Sequence, residues 1–304
     1  TFEVPKLDAD REQFLATFPL LNDSSEESAP IDSRTGRAPF GALIHMANFG
    51  EGTFCSVAHI SAGRVTTNAH CVSRSSRPDE YFVVFYNNRN WKRYERVTGF
   101  AFVGSQESDD VAVLQIDPDA ARSWDTVSGA PINTSAEVGQ PIPQLRKATI
   151  WSFNPFKDNH PELYAKYQGP GMRFTPKHCD ASRTRPTLTG ISEDADGQET
   201  RRIRIVSGVS QEKIHWFVDG CDKRPVHGNS GSLITAADDI TQIFGAYHWN
   251  IPADRQRMTE YSKFEYRGNN DTAVSLSWED MKLRDFFGVG TDFNALLASH
   301  PGLF

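Results

Sequence analysis

The chain has 304 residues, 38% of them apolar and 23% charged, the proportions of a globular protein rather than a disordered one. Its 32 basic and 39 acidic side chains leave a net charge of −7, so the cationic surplus that holds a nucleic-acid backbone is missing. No apolar run approaches the roughly eighteen residues a bilayer-spanning helix needs, which argues against a membrane span.

Residues 1–36 form a polar leading segment, expected to be an N-terminal extension or a pro-segment, with a short amphipathic helix at 8–18. Short β-branched and aromatic runs then follow at 41–46, 53–61, 65–67, 80–86, 96–103 and 111–116. Gly, Asn and Pro punctuate them about every ten residues, the rhythm of an antiparallel sandwich or barrel. Pro118 and the Ser-Gly-Ala-Pro segment at 128–131 mark a boundary, giving a first unit over 37–130 and a second over 131–304. Strands are expected in the second at 147–151, 201–206, 214–218, 232–235 and 240–249. The polar stretch 154–200 between the first two is read as an insertion: a lid, a specificity loop or a disordered stretch. Trp278, Met281, Leu283, Phe286 and Phe287 give 277–297 the character of a C-terminal helix.

Cys55, Cys71, Cys179 and Cys221 make an even set without a CxxC pair. Zinc-ligand spacing is absent, so two disulfides are expected, and with them a secreted or periplasmic location. The chain opens Thr-Phe-Glu-Val, without an initiator Met or an apolar targeting core, and is read as a mature product. The nine His form no metal-binding pattern, and neither GxGxxG nor GxxxxGK[ST] occurs; no metal, nucleotide or other cofactor is expected.

Three passages carry chemistry, in this order: Thr66-Thr67-Asn68-Ala69-His70-Cys71-Val72, then Ser108-Asp109-Asp110-Val111-Ala112-Val113-Leu114, then His227-Gly228-Asn229-Ser230-Gly231-Ser232-Leu233. Each alone is weak. Together they supply what acyl transfer on serine requires. A hydroxyl needs an imidazole to take its proton, and a carboxylate must fix that imidazole's tautomer and stabilise its cation. Glycines around the serine let the backbone turn sharply enough to aim N–H groups at an oxyanion.

The passages resemble those of chymotrypsin-like serine proteases, and more particularly the bacterial glutamyl endopeptidase-like branch. Thr-Asn-Ala-His-Cys is similar to the family's Thr-Ala-Ala-His-Cys, Asp110-Val-Ala-Val-Leu to its Asp-Ile-Ala-Leu-Leu, and Gly228-Asn-Ser-Gly-Ser to its Gly-Asp-Ser-Gly-Gly or Gly-Asn-Ser-Gly-Ser. The order His, Asp, Ser is also the family's. The resemblance implies an all-β fold of two six-stranded antiparallel barrels, His and Asp coming from the first and Ser from the second. It implies His70 as general base, Asp110 as its orienting carboxylate with Asp109 the rival, and Ser230 as nucleophile. The Gly228 and Ser230 amides would form the oxyanion hole. The step from Cys55 to Cys71 matches the family's His-loop disulfide, which leaves Cys179 to pair with Cys221.

Specificity is less regular. His248-Trp249-Asn250 stands where the family reads Ser-Trp-Gly, so Asn250 should reshape the pocket mouth. Cys221 lies nine residues before Ser230, and Leu233 follows Gly-Ser, both departures from the family pattern. His248, with Trp249, Asn250 and Arg224 around the pocket, implies a preference for an acidic P1 side chain, whose carboxylate needs a buried donor. The expected protein is a secreted serine endopeptidase acting on peptides as a monomer. The alternatives are an esterase with the same triad and a non-proteolytic binding protein on the same scaffold.

Overall fold

A computed structural model of the chain describes residues 7–22, 37–46, 54–61, 63–87, 94–105, 109–117, 146–182, 186–193, 199–205, 215–237, 240, 242–252 and 286–304. It begins with the expected helix, α1 (Ala9–Thr17), whose N-cap Asp8 accepts from the Arg11 N–H. The two-residue strand β1 (Leu20–Leu21) follows.

Strands β2 (Arg37–His45), β3 (Phe54–Ser61), β4 (Arg64–Thr67), β5 (Tyr81–Asn87), β6 (Tyr94–Arg96), β7 (Gly99–Val103) and β8 (Ala112–Gln115) form one antiparallel sheet in the order β6-β5-β2-β3-β4-β8-β7. Its two edge strands are neighbours in the chain, joined by Val97 and Thr98 alone. The Val97 N–H donates to the Tyr81 carbonyl on β5 and the Thr98 N–H to the Gln115 carbonyl on β8, so these two residues bridge both edges and the sheet curls on itself. Seven strands stand where six are expected because the run 96–103 breaks at this corner.

The second half is a closed six-stranded barrel. It is built from β9 (Arg146–Trp151), β12 (Lys177–Ser182), β15 (His215–Asp219), β16 (Leu233–Ala236), β17 (Ile243–Pro252) and β18 (Phe286–Asp292), in the order β12-β15-β18-β17-β16-β9. The stretch expected as a loop at 154–200 is largely structured. It carries β10 (Phe153–Pro155), α2 (Phe156–Asn159), α3 (Pro161–Tyr167), β11 (Met172–Phe174), the barrel strand β12, and a ribbon of β13 (Pro186–Glu193) with β14 (Glu199–Ile205). In β12 the inward positions are Lys177, Cys179 and Ala181, and a lysine at an inward position masks the period-2 pattern. The run expected at 201–206 is β14, which pairs with β13 and stays out of the barrel.

The C-terminal helix is shorter and later than expected. Phe286 and Phe287 lie in β18, where Gly288 and Gly290 break a helical pattern, and the helix is α4 (Phe293–Ser299), capped by Asp292. Residues 277–285 and the boundary near 130 fall outside the described residues. One apolar cluster joins the two halves: Phe40 of β2 stacks on Trp151 of β9, centroids 5.5 Å apart. The leading segment enters the same cluster. Leu15 and Phe18 are fully buried, Phe18 packs on Phe54, and β1 runs parallel to β11.

Candidate active site

His70 sits in a single 3₁₀ turn, Ala69–Cys71, just beyond β4, and Cys71 is bonded to Cys55 of β3. The ring is held from one side. Its Nδ1 lies 2.7 Å from Asp110 Oδ2, and the His70 backbone N–H donates to Asp110 Oδ1 at 2.9 Å. Asp110 is fully buried, while the His70 side chain keeps 31% of its surface open. Burial pushes the Asp110 carboxyl above its ordinary range, and the bonds from His70 draw it back toward the charged form.

Asp110 also adopts φ +41°, the left-handed region that Asp tolerates better than most residues. That turn is pinned by Asn68 Nδ2 on the Asp110 carbonyl at 3.0 Å and by the Asp110 N–H on the Ser105 carbonyl at 2.8 Å. The neighbouring carboxylate, Asp109, packs over Gly104 instead, so close that a Cβ there would stand 2.0 Å from Asp109 Oδ1. Of the two candidates, Asp110 is the one that meets His70.

Ser230 is half-buried in a turn before β16. Gly228 and Gly231 on either side have φ of +99° and +87°. A side chain at Gly231 would put its Cβ 2.2 Å from the Ser56 carbonyl and 2.5 Å from Thr67 Oγ1. The same turn is tied to β3 by Ser56 N–H on the Ser230 carbonyl at 2.8 Å and Ser56 Oγ on the Gly228 carbonyl at 3.0 Å. Thr67 precedes His70 by three residues and Ser56 follows Cys55, so these contacts seat the serine turn against the histidine loop. Among the described residues, neither the Gly228 nor the Ser230 N–H donates to a protein acceptor. Ser230 Oγ donates to the His248 carbonyl at 3.0 Å.

His248 lies at a bulge in β17, 1% exposed. The Thr291 hydroxyl gives its proton to the Asp109 carbonyl and so accepts from His248 Nε2, which makes a chain from β17 through β18 to the aspartate loop. The ring expected to face a P1 carboxylate therefore faces Thr291, a partner that the sequence could not indicate across 43 residues. Trp249 and Asn250 continue β17 opposite Val289 and Gly288. Arg224 is half-buried in the segment leading to the serine turn. Its charge favours the anion of the Tyr247 phenol, which burial pushes far above the ordinary range.

His227, one residue before Gly228, is not singled out by sequence; its side chain reaches the surface, and desolvation by its neighbours, then coupling to His70, holds its imidazole below the ordinary value. Cys179 of β12 is bonded to Cys221, which anchors the approach to the turn. His70 has the Cys55 and Cys71 sulfurs within 4.8 Å, the one metal-like grouping among the described residues, but those sulfurs are bonded to each other and are not ligands.

Residues 32–154 match the family model described as Trypsin. No curated protein matches the chain. Similar solved structures include the active form of the Rv3671c protease from M. tuberculosis, at 15% identity over 98% of this chain and 92% of that one, with a TM-score of 0.42. The inactive form of that protease is 14% identical over 87% and 89%, TM-score 0.42. A Glu endopeptidase is 13% identical over 90% and 93%, TM-score 0.45.

Proposed function

We propose that this chain, which has the trypsin-like fold of a chymotrypsin-like serine protease, is a serine endopeptidase with Ser230 as nucleophile, His70 as general base and Asp110 as the carboxylate that orients it. The observation that carries the reading is the double hold of Asp110 on His70. One carboxylate oxygen fixes the backbone and the other takes Nδ1, which leaves Nε2 as the nitrogen for proton transfer. The Ser230 hydroxyl turns from the His248 carbonyl toward that nitrogen and gives up its proton as Oγ attacks the substrate carbonyl carbon. The oxyanion is met by the Gly228 and Ser230 N–H groups. His70 then passes the proton to the leaving amine, the C–N bond breaks, and an acyl-Ser230 ester remains for water to hydrolyse by the same route.

The substrate we propose is a peptide or protein cut at an acidic P1 residue, with Arg224, half-buried in the segment that leads to the serine turn, as the cation for its carboxylate. The two disulfides fit an oxidising extracellular or periplasmic setting, and no helix among the described residues is long and apolar enough to cross a membrane. Labelling with a fluorophosphonate tests the nucleophile: wild type takes the label at Ser230 and Ser230→Ala does not. Wild-type protein that stays unlabelled leaves a binding scaffold as the better reading. Matched peptides with Glu, Lys, Phe and Ala at P1 test the specificity, and faster cleavage after Lys or Phe ends the acidic preference.

A further inference from the structure

Lys177 is fully buried at the start of β12, facing into the second half of the molecule. Its Nζ donates to Ser152 Oγ at 2.7 Å and to Asn154 Oδ1 at 2.6 Å. Ser152 hands its own proton to the Thr175 carbonyl. Asn154 Oδ1 has a second donor, Asn229 Nδ2 at 3.1 Å, so both of its lone pairs are used. The other Asn229 Nδ2 proton goes to the Phe153 carbonyl at 2.9 Å, and Asn229 Oδ1 accepts from the Val226 N–H at 2.7 Å. Every atom of the Asn229 amide is thereby engaged, and Asn229 lies between Gly228 and Ser230.

An ammonium in a dry interior is costly unless something needs it there. Here it fixes the orientation of Asn154, whose oxygen fixes Asn229. With Lys177 donating to it, Asn154 Oδ1 presents its remaining lone pair to position 229 and requires a donor there, which the Asn229 N–H₂ supplies; a carboxylate would set acceptor against acceptor. We infer that Lys177 is a positioning residue for the oxyanion site: through Asn154 it locks Asn229, and with it the backbone that aims the Gly228 and Ser230 N–H groups. The inference rests on the serine-protease reading and deepens it.

The test compares wild type, Lys177→Met and Asn154→Ala for melting temperature, kcat, KM and affinity for a peptide boronate, whose hydroxyl occupies the oxyanion position. Removing the ammonium leaves Ser152 Oγ and one lone pair of Asn154 Oδ1 without a donor, so Lys177→Met should melt below the wild-type temperature and is compared at a temperature where both proteins are fully folded. Its kcat should nevertheless fall on the order of 10- to 100-fold, approaching the loss of one oxyanion donor. KM should move less than about threefold, and boronate affinity should fall in parallel with kcat. If Lys177→Met does not fold, Asn154→Ala carries the same comparison. Unchanged kcat and boronate affinity in a folded variant, or a loss of kcat that only follows the folded fraction, overturns the inference. Labelling of wild-type Ser230 by fluorophosphonate is checked first: without it both readings fall, and with it a null result in the variants removes the Lys177 role alone.

Discussion

Ser56 and Ser230 share a hydrogen bond that crosses between the two halves of the molecule, the Ser56 N–H donating to the Ser230 carbonyl at 2.8 Å. The bond requires the serine turn to approach β3 more closely than any side chain at position 231 allows. Gly231→Ala should therefore lower stability by about 2–4 kcal/mol, combining a left-handed φ with a clash against the Ser56 carbonyl. It should also lower kcat/KM by at least ~10²-fold, because the nucleophile is displaced from the histidine loop. Urea unfolding and steady-state kinetics read both quantities; near-wild-type kcat/KM would show that the approach is dispensable.

Ser230→Ala and His70→Ala are each expected to remove turnover by a factor on the order of 10⁴–10⁶, and the double variant little more, since the two groups act as one unit. Losses that multiply would contradict the shared proton transfer.

The two aspartates should separate cleanly. Asp110→Asn keeps the shape but loses the charge that stabilises the His70 cation, a cost of roughly 10⁴ in kcat by analogy with other triads. Asp109→Asn, whose side chain packs over Gly104, should stay within about tenfold of wild type. The reverse ranking would transfer the orienting role to Asp109.

Stability should fall in acid through His59. This residue is fully buried on β3, and burial lowers its pKa to about 3. The unfolded chain takes up a proton near pH 6.5 and the folded chain does not. The stability is therefore complete above about pH 6.5 and is lost progressively down to about pH 3, amounting to about 3 kcal/mol by pH 4. Comparing urea midpoints at pH 7 and pH 4 for wild type and His59→Leu isolates the effect. An equal drop in both proteins would assign it to other groups.

Opening the disulfides should have unequal consequences. Loop lengths of 16 and 42 residues give chain-entropy estimates of about 3 and about 4 kcal/mol. Only the Cys55–Cys71 bond touches the His70 turn, so Cys55→Ser/Cys71→Ser should cost activity beyond its cost in stability. Cys179→Ser/Cys221→Ser should show mainly as a lower melting temperature.

The residues of the proposed site are legible because acyl-transfer chemistry on serine restricts them to a few types in short contiguous passages. His70 with its cysteine and Ser230 within its glycines carry their surroundings in sequence. The choice of Asp110 over Asp109 needed the family resemblance, and only the geometry gives its physical reason, the left-handed turn that swings one carboxylate under His70. What sequence hid is long-range or contrary to pattern. Lys177 and Asn154 act on Asn229 from far upstream, and Thr291 captures His248 across 43 residues. Strand β12 escapes the period-2 pattern because a lysine occupies an inward position, and β18 reads as helix because its paired phenylalanines fit a helical stripe as well as a strand.

The leading segment acts as a splint across the two halves. Phe18 rests on Phe54 of the first sheet and the Tyr94 hydroxyl donates to Glu12, while β1 is hydrogen-bonded to β11 beside the second barrel. These contacts are all non-covalent. A chain cut between residues 22 and 37 should keep the piece in place, and a synthetic peptide of residues 7–22 should rebind a protein that lacks it. Loss of the splint would be felt as freedom between the halves, one carrying His70 and the other Ser230.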